Sequence, residues 1–121
     1  MAKTVINESE VEGTLKTEPW VRLSKILLSG HNAGAKQMSM GINISQPGSG
    51  IPKHKHDNSE EMLYCVEGTG KLTMEDGSVY DITPGTAFFN PIGVEHTLEN
   101  TGDVELKVVW AYAPPLSEHM A

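Results

Sequence analysis

The chain has 121 residues, a length that suits one domain burying about two thirds of its unfolded surface. A formal net charge of -7 argues against nucleic acid or an anionic membrane as a partner. Cys65 is the only cysteine, which excludes an internal disulfide and points to a reducing compartment, with the cytoplasm as the expected location.

Residues 1–19 are polar and acidic with a weak pattern, and predict an N-terminal arm or edge strand able to pair with a second subunit. The longest apolar stretch nearby, Ile26 to Leu28, is too short for a signal peptide or a membrane span. Period-2 patterning dominates from residue 36 onward. Met38, Met40, Ile42 and Ile44 alternate with Ser39, Gly41, Asn43 and Ser45, as in a half-buried strand. Shorter strands are expected over 62–67, 71–75, 79–82, 86–90 and 96–100. Val104, Leu106, Val108, Trp110 and Tyr112 then form one continuous apolar face of a final strand. Turn residues separate these pieces, and Asp76-Gly77 is the clearest hairpin signal because Gly accepts the positive φ of a tight turn. Many short strands at such spacing indicate an all-β sandwich or barrel in one domain, residues 1–121.

Three histidines and a glutamate stand out. His54 and His56, at i and i+2 on a strand, lie on one face about 7 Å apart along the backbone, so both rings can converge on one ion while Lys55 points away. Glu61 follows a short polar loop at the start of the next apolar run, and His96 must arrive from a distant strand. Three nitrogens and one carboxylate suit a single divalent transition metal such as Fe, Mn, Zn, Ni or Co. Four protein ligands leave open positions on a five- or six-coordinate ion. Ordinary surface polarity accounts poorly for four such donors in this setting.

The first run resembles the first cupin motif: Gly48, five residues, His54-x-His56, four residues, Glu61, six residues, Gly68. The second resembles the second cupin motif: Gly85, five residues, Pro91-x-Gly93, two residues, His96, three residues, Asn100. The motifs, at 48–68 and 85–100, resemble those of a small single-domain cupin (a monocupin). Glu60 competes with Glu61 as ligand, but only Glu61 keeps the six-residue spacing to Gly68. The resemblance implies a double-stranded β-helix, or jelly roll, with the metal inside the barrel, and a homodimer.

Strand parity sends Glu61, Leu63 and Cys65 inward, and Met62, Tyr64 and Val66 outward. Cys65 reads as small apolar filler. Met38, Met40, Trp110 and Tyr112 read as barrel wall, with Met40, Asn90 and Trp110 as candidate substrate contacts. Asn90 closes the Phe88-Phe89 run as either a pocket amide or a turn cap. His31 and His119 read as exposed bystanders. Arg22, the only arginine, argues against bidentate anion capture, though Lys36 or Lys53 could supply a point charge. A neutral or modestly polar small molecule, or one that chelates the metal, is the expected substrate.

A metal-dependent enzyme acting on a small organic molecule is the leading expectation. Dioxygenase chemistry and Lewis-acid isomerisation, elimination or decarboxylation both fit. Tyr64, Glu60 and Tyr112 are the candidates for general acid or base. The alternative is a non-catalytic, metal-bearing module that binds or senses a sugar or an acid.

Overall fold

The computed structural model describes residues 2–119. Its strands are β1 (Thr14–Lys16), β2 (Arg22–Leu28), β3 (Ser39–Ser45), β4 (Gly50–His54), β5 (Glu60–Glu67), β6 (Gly70–Met74), β7 (Val79–Ile82), β8 (Ala87–Asn90), β9 (His96–Asn100) and β10 (Leu106–Ala113). They form a six-stranded sheet, β1-β2-β3-β10-β5-β8, and a four-stranded sheet, β4-β9-β6-β7, with every ladder antiparallel. This is the expected double-stranded β-helix. Sequence-distant strands become neighbours, so β10 lies between β3 and β5, and β9 between β4 and β6.

The core follows from parity. Leu106, Val108, Trp110 and Tyr112 of β10 alternate inward and are buried, and they meet Leu63 and Cys65 of β5, Leu72 of β6, Ile82 of β7 and Leu98 of β9. Cys65 is fully buried among these apolar groups, as filler. The Asp76-Gly77 hairpin forms as expected. Gly77 takes φ +89° and donates to the Met74 carbonyl, while the Asp76 carboxylate accepts from the Ser78 N–H at 2.9 Å.

Strand β3 reverses the expected faces. Met38 and Met40 are 59% and 42% exposed, whereas Ser39, Gly41, Asn43 and Ser45 point inward and are buried. Packing and solvation explain the inversion. The inner wall here borders a polar cavity, and a Cβ at residue 41 would collide with the Trp110 ring. On the outer face, Ile42 is flanked in register by Lys25 and Val109. The N-terminal 3-10 turn Glu8–Glu10 is tied to that face: Lys25 Nζ donates to the Glu8 carbonyl, and Lys107 Nζ pairs with the Glu8 carboxylate at 2.6 Å. The N-terminal arm therefore folds back on its own chain, with β1 as an edge strand paired to β2.

Asn100, the last residue of the second motif, is a structural staple. Its buried amide donates to the carbonyls of Ser45 (3.0 Å) and Val104 (2.8 Å) and accepts from the Gly102 N–H (2.9 Å). Those groups join β3, the end of β9 and the approach to β10. Asn100→Ala strands three polar groups, and the expected loss is about 3 kcal/mol of stability. Urea unfolding of the variant measures it; an unchanged midpoint would contradict the assignment.

Candidate metal centre

His54 ends β4, Glu61 is the second residue of β5 and His96 opens β9. Their ligand atoms and one of His56 all lie within 4.8 Å of one another. The ring centroids of His54 are 4.9 Å from His56 and 4.3 Å from His96. All four expected ligands are thus brought together.

The route differs in one detail. His56 lies two residues beyond β4, and the β4–β9 ladder shifts register between Ile51 and His54, so simple strand parity does not bring the two rings together. The loop is held instead by the second motif. Gly93, at φ +74°, donates its N–H to the His56 carbonyl at 2.8 Å, which fastens the loop carrying His56 to the turn that leads into His96.

Local hydrogen bonds orient the donors. His54 Nδ1 donates to the Pro52 carbonyl at 2.8 Å and His96 Nδ1 to the Val94 carbonyl at 3.0 Å, in each case two residues back. That arrangement puts the proton on Nδ1 and leaves Nε2 as a lone-pair donor. Asn90, 2% exposed, donates Nδ2 to Glu61 Oε1 at 3.0 Å, so the amide serves the carboxylate rather than a turn. His56 Nε2 lies 3.1 Å from the Tyr112 hydroxyl.

Burial dominates the electrostatics of the cluster. Burial raises the Glu61 pKa, opposed by the hydrogen bonds from Asn90 and Tyr112. Burial lowers the His56 pKa and pulls His96 down to about 4. His96 is therefore neutral near pH 7, and its 3.7 Å contact with Glu61 is not an ion pair. Burial, followed by the charge of Glu61, pushes the Tyr112 phenol well above its ordinary value. His96 Nε2 is buried without a hydrogen-bond partner. A void of about 10 Å³ adjoins it, lined by His54, Glu61, Asn90 and His96 with apolar neighbours. An orphaned lone pair, a buried carboxylate and neutral imidazoles around a space of that size fit a divalent cation.

On the other side of His54 and Glu61 lies a cavity of about 300 Å³. His56, Trp110, Tyr112 and Asn43 line it, which places Trp110 and Tyr112 on the wall beside the cluster. Met40, Glu60 and Tyr64 do not: all three are exposed on the outer side, and Tyr64 stays there because β5 keeps strict alternation through Cys65. Two more expectations need correction. His119 is buried, stacked on Trp110 at 5.1 Å and 2.7 Å from Ser39 Oγ, because the C-terminal turn Ser117–His119 folds over the cavity. Lys36 and Lys53 are exposed and absent from the cavity wall, and Lys53 faces Glu95 at 3.9 Å. The cations on that wall are Arg22 and Lys16. No local motif marks them; only the alternation Arg22, Ser24, Ile26 hints at an inward face on β2.

The model of the cupin domain family matches residues 42–112, which contain all four clustered side chains. Polyketide synthase CurC of Streptomyces cyaneus is 32% identical over 114 residues, spanning 94% of this chain and 71% of that protein. L-ectoine synthase of Bordetella parapertussis is 31% identical over 121 aligned positions, covering 93% and 85% respectively. Among solved structures, a predicted oxalate decarboxylase from Thermotoga maritima superposes with a TM-score of 0.82 at 24% identity, over 92% of this chain and 99% of that one. In matched sequence, in strand order and in the placement of both histidine motifs, this chain belongs to the cupin domain family.

Proposed function

We propose that this protein is a metal-dependent enzyme that binds one divalent transition metal through His54, His56, Glu61 and His96 and acts on a small organic molecule. The observation that carries the reading is the buried four-donor cluster, with an unpartnered His96 Nε2, beside a cavity of about 300 Å³. A metal held there supplies Lewis acidity toward a substrate oxygen. The chain's own groups do the rest. Asn90 fixes the Glu61 carboxylate, the Pro52 and Val94 carbonyls fix two rings, and Trp110 and Leu116 narrow the wall against water.

Tyr112 favours non-oxidative chemistry over oxygenation. Its phenol keeps its proton at the edge of the cluster, 3.1 Å from His56, where it can donate a hydrogen bond to charge developing on substrate. Isomerisation, elimination and decarboxylation all develop negative charge on oxygen or carbon that such a hydrogen bond can stabilise. The names of two relatives, a polyketide synthase and L-ectoine synthase, support action on a small molecule.

The same reading includes a homodimer. Met40, Ala111, Met62 and Phe89 stand in one register row across four strands on the outer face of the six-stranded sheet. The three larger ones are 42%, 64% and 42% exposed, an apolar band suited to a second copy of the chain.

Three outcomes follow. His56→Ala and His96→Ala each abolish stoichiometric metal uptake while circular dichroism stays native; normal metal content on elemental analysis would refute the cluster as a metal site. Tyr112→Phe retains metal but lowers turnover about a hundredfold, judged against small hydroxy acids, diketones and sugar acids. Oxygen consumption by wild-type and variant alike would instead favour a dioxygenase, and binding without turnover a sensor. Met62→Glu converts a dimer to a monomer in light scattering; a wild-type monomer would remove the interface.

A further inference from the structure

Arg22 and Lys16 are directly opposite one another in the β1–β2 ladder, on the inward side shared with Ser24. Like charges placed directly across an antiparallel pair repel, so the arrangement is unfavourable unless something neutralises it. The chain has sixteen acidic residues for nine basic ones, yet among the described residues no carboxylate lies within 4.0 Å of either cation. Lys3, Lys53, Lys55 and Lys107 each face a carboxylate and Lys25, Lys36 and Lys71 do not, but only Lys16 and Arg22 stand opposite one another on a cavity wall. Glu118 lines the same cavity without reaching either cation.

The two groups are graded in depth. Lys16 is exposed, and Arg22 is half-buried. Arg22 Nη1 donates to the Trp20 carbonyl at 3.3 Å, which steadies the guanidinium and leaves most of its five donors free. Burial draws its pKa down, so the cation is partly stripped of water, a condition that strengthens its grip on an anion. His54, His56 and Glu61 face the same cavity.

We propose that this cavity binds a small organic carboxylate at Arg22 and Lys16, with the reacting part of the molecule directed at the histidine cluster. A carboxylate offers two coplanar oxygens to the guanidinium fork, and a cavity of about 300 Å³ has room for a small organic molecule that also reaches the histidines. Lys16 adds a second, point-like charge, and this pairing is what reverses the expectation that a single arginine would not capture an anion. The proposal deepens the enzyme reading by naming its substrate class. The cation pair itself binds anion whether or not the metal is loaded, so the two can fail separately.

The test is calorimetric titration of malonate, succinate, glutarate, inorganic phosphate and the neutral succinamide into EDTA-stripped and Mn(II)-loaded protein. At least one dicarboxylate binds both forms, succinamide binds neither comparably, and affinity falls with added salt. Arg22→Gln weakens dicarboxylate binding at least about tenfold in both forms, with Mn(II) content unchanged. Lys16→Gln, at an exposed position that leaves the fold intact, weakens it less. The proposal is overturned if no dicarboxylate binds at millimolar concentration, if succinamide or phosphate binds as well as the best dicarboxylate, or if neither substitution changes the affinity. Failure of Mn(II) to load, with dicarboxylate binding retained in the stripped protein, would sink the metal reading and leave the carboxylate site standing.

Discussion

Removing a carboxylate and three imidazoles from water at one point inside a barrel is unfavourable, and the surrounding structure is arranged to bear it. Glu61 is buried with one amide donor on Oε1, and His96 has one ring nitrogen tied to a carbonyl and the other without a partner. Burial raises the carboxylate pKa and lowers those of His56 and His96, which disfavours charge on each of them. A divalent cation reverses that balance. Bound there, it would take the free imidazole lone pairs and compensate the carboxylate, so groups that are a liability without it would become its ligands.

That requirement shapes the barrel beyond the cluster. One end of the interior is apolar, with Cys65, Leu72, Ile82, Leu98, Leu106 and Val108 packed together, as a small β-protein needs. The other end is polar and partly hollow, with Ser24, Asn43 and Arg22 on its wall. The polar end explains why β3 turns its serines, Gly41 and Asn43 inward and its methionines outward, against the usual rule for a half-buried strand. Trp110 and Tyr112 form the border, belonging both to the apolar core and to the cavity wall.

The C-terminal segment adds a further layer. His119 stacks on Trp110 and contacts Ser39, and the His31 ring meets the Glu118 carbonyl at 2.9 Å. These contacts hold the segment across one side of the cavity, so residues outside both histidine motifs help decide which molecules fit. A shared fold supports many chemistries, so the cavity wall, with the four clustered donors, has to carry the specificity of this chain.

Much of the molecule was legible in the sequence. The all-β class, the Asp76-Gly77 hairpin, the strands at 79–82 and 96–100 and the inward placing of Glu61, Leu63 and Cys65 all follow from period-2 patterning and local turn chemistry, which act over a few residues. The clustering of His54, His56, Glu61 and His96 was readable because their spacing repeats a motif. Other features came only from tertiary structure. Whether Met40 or Ser39 faces inward depends on a hollow lined by other strands, and alternation alone does not say which face is which. Lys16, Arg22 and His119 reach the cavity through strand pairing and chain closure across long stretches of sequence. Their surroundings are set by residues far away in the chain, and no local pattern carries that information.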